Sequence, residues 1–144
     1  MKKTTFMIRA LALVAYLLCT MSAVAAEAYA CYSPSNATLS FYYDNQRSSR
    51  SGTTYDLNSG TNLPLWYSNR DAVTTVYFSN SFANYHPTTT YKWFYSFTNL
   101  TEIEGIRNLK TDQVTNMSHM FDGCNKLSTI NVKKFDTSNV TDFS

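Results

Sequence analysis

The sequence predicts an α/β repeat fold: a solenoid of short parallel strands and short convex helices, preceded by an N-terminal β-hairpin cap. Three observations carry this. An apolar pair three positions apart recurs at a constant step, at Val73/Val76, Leu100/Ile103 and Leu127/Ile130. A ten-residue phrase is spelled twice, LKTDQVTNMS from 109 and FDTSNVTDFS from 135, an offset of 26. Within each period, a stretch alternating at two is followed by one with apolar residues at steps of three and four. A fixed period in the twenties is the mark of stacked units, none of which buries enough apolar surface alone.

Each half of the period has its own argument. In LSTINV (127–132), Leu127, Ile130 and Val132 are apolar with Thr129 and Asn131 between them, the alternation of a short strand with one buried face. In VTNMSHMFDGC (114–124), Val114, Met117, Met120, Phe121 and Cys124 form a stripe at helical spacing, with Thr115 as a cap and Gly123 near the end. Stacking then places Val76, Ile103 and Ile130 in one column. The first copy is atypical, with Thr90 where the next has Met117 and His86-Pro87 ahead of its helix. The last copy stops inside its second half, so residues after about Lys133 are expected to lack neighbours and fray.

Residues 31–70 lack the period and are assigned to the cap. TLSFYYD alternates Leu39, Phe41 and Tyr43 with polar or tyrosyl neighbours, QRSSRSG is a polar loop, and TTYDL resumes strand-forming residues. The expectation is a hairpin pairing these two runs over the open face of the first repeat, with Trp66 and Tyr67 at the junction. The repeat region is then 71–144, incomplete at its C-terminus.

Residues 1–25 have the order of a secretory signal: Lys2 and Lys3, an apolar run from Ala10 to Cys19, then small residues offering Ala23-Val24-Ala25 or Ala28-Tyr29-Ala30 for cleavage between 25 and 30. The run is too short to span a bilayer, so the mature chain is expected to be exported, secreted or at the cell surface, with no transmembrane segment. A lipid anchor on Cys31, directly after Ala30, is the competing outcome. Of 12 basic residues, Lys2, Lys3 and Arg9 leave with the signal, so 9 face 10 acidic ones and the mature charge is close to −1. No basic run interleaved with aromatics remains, which argues against nucleic acid as a partner. Two cysteines, Cys31 and Cys124, allow one disulfide at most.

Chemistry-bearing clusters are few. His119, Asp122 and Cys124 lie close together in the chain, but on a helix His119 faces away from the stripe that holds the thiol. Glu102 and Glu104 flank Ile103 on one exposed strand face. No phosphate loop, nucleophile elbow or zinc-ligand pattern is present, so no catalytic residue, cofactor or metal ligand is assigned and no enzyme is expected. Sequons begin at Asn36, Asn99, Asn116 and Asn139, the last two within the repeat's turns. The candidate binding face is Glu102, Glu104, Thr129, Asn131 and Lys133, which a strand alternation puts on the outer side. The aromatics at 41–43 and 66–67 could add a contact surface on the cap.

The segment VTNMSHMFDGCNKLSTINVKKFDTSNVTDFS closely resembles the repeat of BspA-like bacterial surface proteins, a leucine-rich-repeat variant written F-D-T-S-x-V-T-x-M-x-x-M-F-x-x-C-x-x-L-x-x-L-x-V. Phe135, Asp136, Thr137, Ser138, Val140 and Thr141 fit it, as do Val114, Thr115, Met117, Met120, Phe121, Cys124, Leu127, Ile130 and Val132. The resemblance covers 109–144 well and 73–108 loosely. It implies a leucine-rich-repeat solenoid and a secreted or surface-displayed binding protein, in some members an adhesin for host matrix protein, glycan or another cell. The alternative is a non-binding N-terminal cap or stalk of a longer array.

Overall fold

Residues 23–144 are described by a computed structural model. Five strands form one mixed sheet: β1 (Glu27–Ser33), β2 (Thr38–Asp44), β3 (Thr53–Asp56), β4 (Thr75–Phe78) and β5 (Glu102–Glu104), in the order β3-β1-β2-β4-β5. The first three pair antiparallel, whereas β2 with β4 and β4 with β5 pair parallel. Among the described residues there is no α-helix, only short 3-10 turns. This mostly β, mixed-sheet architecture replaces the expected α/β leucine-rich-repeat solenoid.

The cap is built differently from the expected hairpin. β2 does hold the alternating run, with Leu39 and Phe41 buried, but it does not pair with β3. Both flank β1, a strand that overlaps the processing window assigned from sequence, and in which Tyr29, Ala30 and Cys31 are buried. Nor is it a separate lid. Register places Leu39 beside Val76 and Phe41 beside Phe78, so the antiparallel strands continue directly into the parallel part.

The core explains that continuity. Phe41 lies between Phe78 and Trp93, stacked at centroid distances of 4.7 and 5.1 Å, with Trp66 edge-on at 5.3 Å. All four rings are fully buried. The polar edges of the two indoles are satisfied: Trp66 Nε1 donates to the Trp93 carbonyl and Trp93 Nε1 to Asn58 Oδ1. Burying a ring of this size contributes about 1.5–3 kcal/mol, so residues from the antiparallel strands and from the repeats stabilise one another.

The expected helix over 114–124 is a series of tight turns. Met120 and Cys124 N–H groups bond carbonyls three residues back, at Met117 and Phe121, as Trp93 and Phe97 do with Thr90 and Phe94. Apolar residues at steps of three and four therefore face inward without any i to i−4 bond. The remaining backbone groups reach across to the neighbouring winding: Thr90, Lys92, Phe94 and Ser96 N–H donate to the carbonyls of Asn116, Ser118, Met120 and Asp122. A helix would consume these groups internally. Left-handed residues recur in step, Lys92 (φ 55°) with His119 (φ 54°) and Ser96 (φ 57°) with Gly123 (φ 78°). Each breaks helical continuation.

Threonine has a specific task between windings. Thr115 directs both its N–H and its Oγ1 to the Thr88 carbonyl, and Thr141 does the same to Thr115. Thr101 repeats the arrangement on Thr74. Thr115 is thus a clamp between windings rather than a helix cap. Asn116, Asp136 and Asp142 each accept the N–H and hydroxyl of the serine two residues on, at Ser118, Ser138 and Ser144, which shapes the turns of the phrase spelled twice.

One further expectation is corrected. LSTINV forms no strand: Leu127 is half-buried, while Ile130 and Val132 are 36% and 41% exposed, so the Val76–Ile103–Ile130 column is not a continuous core. The segment after Lys133 is largely exposed and hydrogen-bonded to the preceding winding. Asp136 N–H donates to Thr111 Oγ1, Thr111 Oγ1 donates to the Asp136 carbonyl, and Met117 and His119 N–H donate to the Asp142 and Ser144 carbonyls. Cys31 and Cys124 are free thiols.

Thr90 is fully buried and its hydroxyl has no partner. A desolvated, unpaired hydroxyl costs stability, and the position one winding later is methionine. Thr90→Val is expected to stabilise the protein by about 1 kcal/mol, read as a higher denaturant midpoint at unchanged slope. A lower midpoint would mean that the hydroxyl is satisfied.

Candidate functional site

Three places bring polar or reactive side chains together. The first is on the outer face of β1 and β2. Arg50 lies over the Tyr42 ring at 3.7 Å, pairs with Asp44, and donates from Nε to the Tyr29 hydroxyl, which in turn donates to Asp44 Oδ1 at 2.6 Å. Arg47 ties Glu27 and Asp56 together beside it. Burial, only partly offset by Arg50, pushes the Tyr29 phenol up to about 12. For Asp44, burial works against ionisation, but the hydrogen bonds from Tyr29, the Gln46 N–H and Arg50 prevail and hold it below the usual carboxylate range. Every member has a partner inside the cluster, which secures the 45–52 loop to the sheet.

The second is the His119, Asp122 and Cys124 group. His119 Nδ1 lies 3.4 Å from Asp122 Oδ2 at the surface, and its ring contacts Tyr95. The Cys124 thiol points the other way, donating to the Phe94 carbonyl at 3.1 Å, and burial raises it to about 11. A thiol so held is protonated at neutral pH and turned away from its nearest imidazole. His86, without a visible partner in the sequence, meets Asp112 one winding later at 2.7 Å. Among the described residues no group of three or more His, Cys, Asp or Glu is placed to hold a metal ion, and no helix is long and apolar enough to cross a membrane.

The third is a groove of about 390 Å³ where β4 and β5 end. Tyr77 and Glu104 are register partners on the outer face of the sheet, and Asn131 continues their row. A parallel row is formed by Asn80, Arg107 and Lys134. Successive members of each row stand one full period apart in the chain, so the winding itself aligns them. Phe78, Gly105, Ile106 and Asn108 complete the lining. Among the described residues, Glu104, Arg107 and Lys134 take part in no ion pair.

The floor of the groove is rigid for identifiable reasons. Gly105 has φ 68° and packs so closely that a Cβ would overlap the Phe78 carbonyl oxygen. Its carbonyl accepts the Asn108 N–H, closing the 3-10 turn Ile106–Asn108. The buried Asn108 side chain donates to the Phe78 carbonyl at 3.0 Å and to Asn80 Oδ1 at 3.2 Å. That bond fixes the turn to β4 and aims Arg107 outward.

Of the residues singled out in the sequence, Glu104 and Asn131 line this groove, and Glu102, Thr129 and Lys133 are exposed outside its lining. The strand alternation placed Glu102 and Glu104 on β5, whereas Thr129, Asn131 and Lys133 sit in irregular chain, where Asn131 Oδ1 accepts the Lys133 N–H. Tyr77, Asn80, Arg107 and Lys134 were missed. Stepping back one period from Glu104 would have found Tyr77, and the same step links Asn80, Arg107 and Lys134.

The family model described as "Mycoplasma protein of unknown function, DUF285" matches residues 88–144, less than half of the chain. No curated protein and no solved structure matches it.

Two outcomes test this geometry. Gly105→Ala is expected to cost about 2 kcal/mol or more, combining left-handed backbone strain with displacement of β4, as measured by chemical denaturation. Tyr29, being harder to ionise folded than unfolded, stabilises fully below pH 10, and this contribution is lost as pH rises from 10 towards 12. Tyr29→Phe should flatten that alkaline limb in thermal melts.

Proposed function

We propose that the protein is a secreted or surface-displayed binding protein of adhesin type, and that it takes a protein or glycan of a host or microbial surface in the groove bounded by Tyr77, Glu104 and Asn131 on one side and Asn80, Arg107 and Lys134 on the other. The observation that carries this reading is the pairing of unengaged charges with an aromatic ring in one open groove on a fixed floor. An aromatic face beside amide, carboxylate and guanidinium groups can stack and hydrogen-bond at once, the combination that orients sugars and peptides. The signal-like order of residues 1–25, of which 1–22 lie outside the described residues, supports export. The resemblance of 109–144 to BspA-like surface proteins supports adhesion.

Catalysis has less behind it. The groove is lined by one carboxylate, two cations and no nucleophile with a base, and the single thiol near a histidine is turned inward. The groove's contents suit recognition through several contacts of similar, modest strength.

Binding of the full exported chain to immobilised matrix proteins and to a glycan array tests the reading. Tyr77→Ala and Glu104→Gln are each expected to weaken binding about tenfold, equivalent to about 1.4 kcal/mol, while Glu104→Gln, at an exposed position, leaves stability within about 0.5 kcal/mol. Thr129→Ala and Glu102→Ala, outside the lining, should leave affinity unchanged. Equal binding by wild type and the Tyr77 and Glu104 variants would dismiss the groove, and no binding in either format would favour a non-binding cap or stalk.

A further inference from the structure

The small residues that precede the sheet offer more than one place at which an exported chain could be cut, and the fold distinguishes them. Between Ala23 and Ala30 the A-x-A pattern that such processing needs is met three times, ending at Ala25, at Ala28 and at Ala30. The three bonds lie in very different surroundings. Residues 23–26 are exposed and precede β1. Ala28 and Ala30 lie inside β1, which is hydrogen-bonded to β2 along one edge and β3 along the other.

We infer that the chain is processed at the Ala25–Ala26 bond, that the mature protein begins at Ala26, and that Cys31 stays an internal strand residue with a free thiol. This rests on the export reading above and adds the position. Water is added across the Ala25–Ala26 amide by a protease of the signal-peptidase class, leaving a carboxylate on Ala25 and an amine on Ala26. The cut keeps all of β1, including Glu27, whose carboxylate meets Arg47 at 3.0 Å.

The alternatives dismantle the sheet. A cut after Ala28 removes Glu27 and Ala28, the partners of Asp44 and Tyr43, and with them the Arg47–Glu27 pair. A cut after Ala30 also removes Tyr29, whose hydroxyl joins Asp44 and Arg50, and Ala30, which is fully buried opposite Phe41. It would make Cys31 the first residue, the place a cysteine carrying a diacylglyceryl thioether occupies once the precursor bearing it has been cut. Yet the Cys31 sulfur is buried under the 51–52 segment, facing the Ser51 carbonyl, with Gly52 packed on Tyr32. A lipid chain on that sulfur would have to lift the loop that Arg47 and Arg50 hold down.

The test is to express the full chain in an exporting bacterial host and determine the N-terminus and intact mass of the protein found outside the cytoplasm. The expected result is a single species lacking residues 1–25, with two unmodified thiols, of which Cys31 reacts with maleimide only after denaturation. The Ala25→Phe variant, altered at an exposed position, should accumulate uncut precursor. A mature terminus at Tyr29 or Cys31, or an added diacylglyceryl mass, overturns the assignment while leaving export intact. Retention of Met1 in protein that stays inside the cell overturns export itself.

Discussion

The structure depends on backbone hydrogen bonds between positions one winding apart. Thr90, Lys92, Phe94 and Ser96 each give their N–H to the next winding, and Thr101, Thr115 and Thr141 return theirs with a hydroxyl bond to the same carbonyl. A tight turn leaves most of its amides unbonded, and buried amides without partners are costly. The turns therefore persist only because a neighbour of the same shape satisfies them. That mutual requirement enforces the near-constant spacing seen in bonds such as His86 to Asp112 and Asn139 to the Asp112 carbonyl.

The same constraint ties the antiparallel strands to the rest. β4 bonds β5 on one edge and β2, in parallel register, on the other, so neither of its edges is left open. Phe41 carries that junction into the interior, stacked between a ring from β4 and one from the first tight-turn segment. β1 is held between β2 and β3, so the chain from Glu27 onward is part of the fold's centre rather than a lead-in.

A winding of constant length also lays side chains in rows on the outside. Tyr77, Glu104 and Asn131 form one such row, and Asn80, Arg107 and Lys134 the next. Inward positions are constrained by packing and inter-winding bonds, as the buried Asn108 shows by anchoring both Phe78 and Asn80. Outward positions carry no such duty, so their chemistry can vary while the groove's shape persists. That separation of scaffold from surface is the physical basis for reading the groove as a recognition site.

The alternation of Leu39 and Phe41 and the flanking of Ile103 by Glu102 and Glu104 determined, from sequence alone, where two strands run and which side chains they bury. Local polarity is sufficient there, because a strand's two faces differ directly in solvent exposure. The same alternation put Glu104 on the outer side of β5, whereas Asn131, assigned to a strand by the same pattern, lies in irregular chain where it lines the groove. The sequence did not distinguish a helix from stacked turns over 114–124, since both place apolar residues at steps of three and four. Only the tertiary structure decided between them, because the choice rests on whether the amides of that segment find partners within it or on the winding beside it. β1 was hidden for a related reason. Ala28, Tyr29 and Ala30 look like a processing site in isolation and become a strand only when β2 and β3 arrive on either side, and those pairings join residues whose mutual distance no local pattern records.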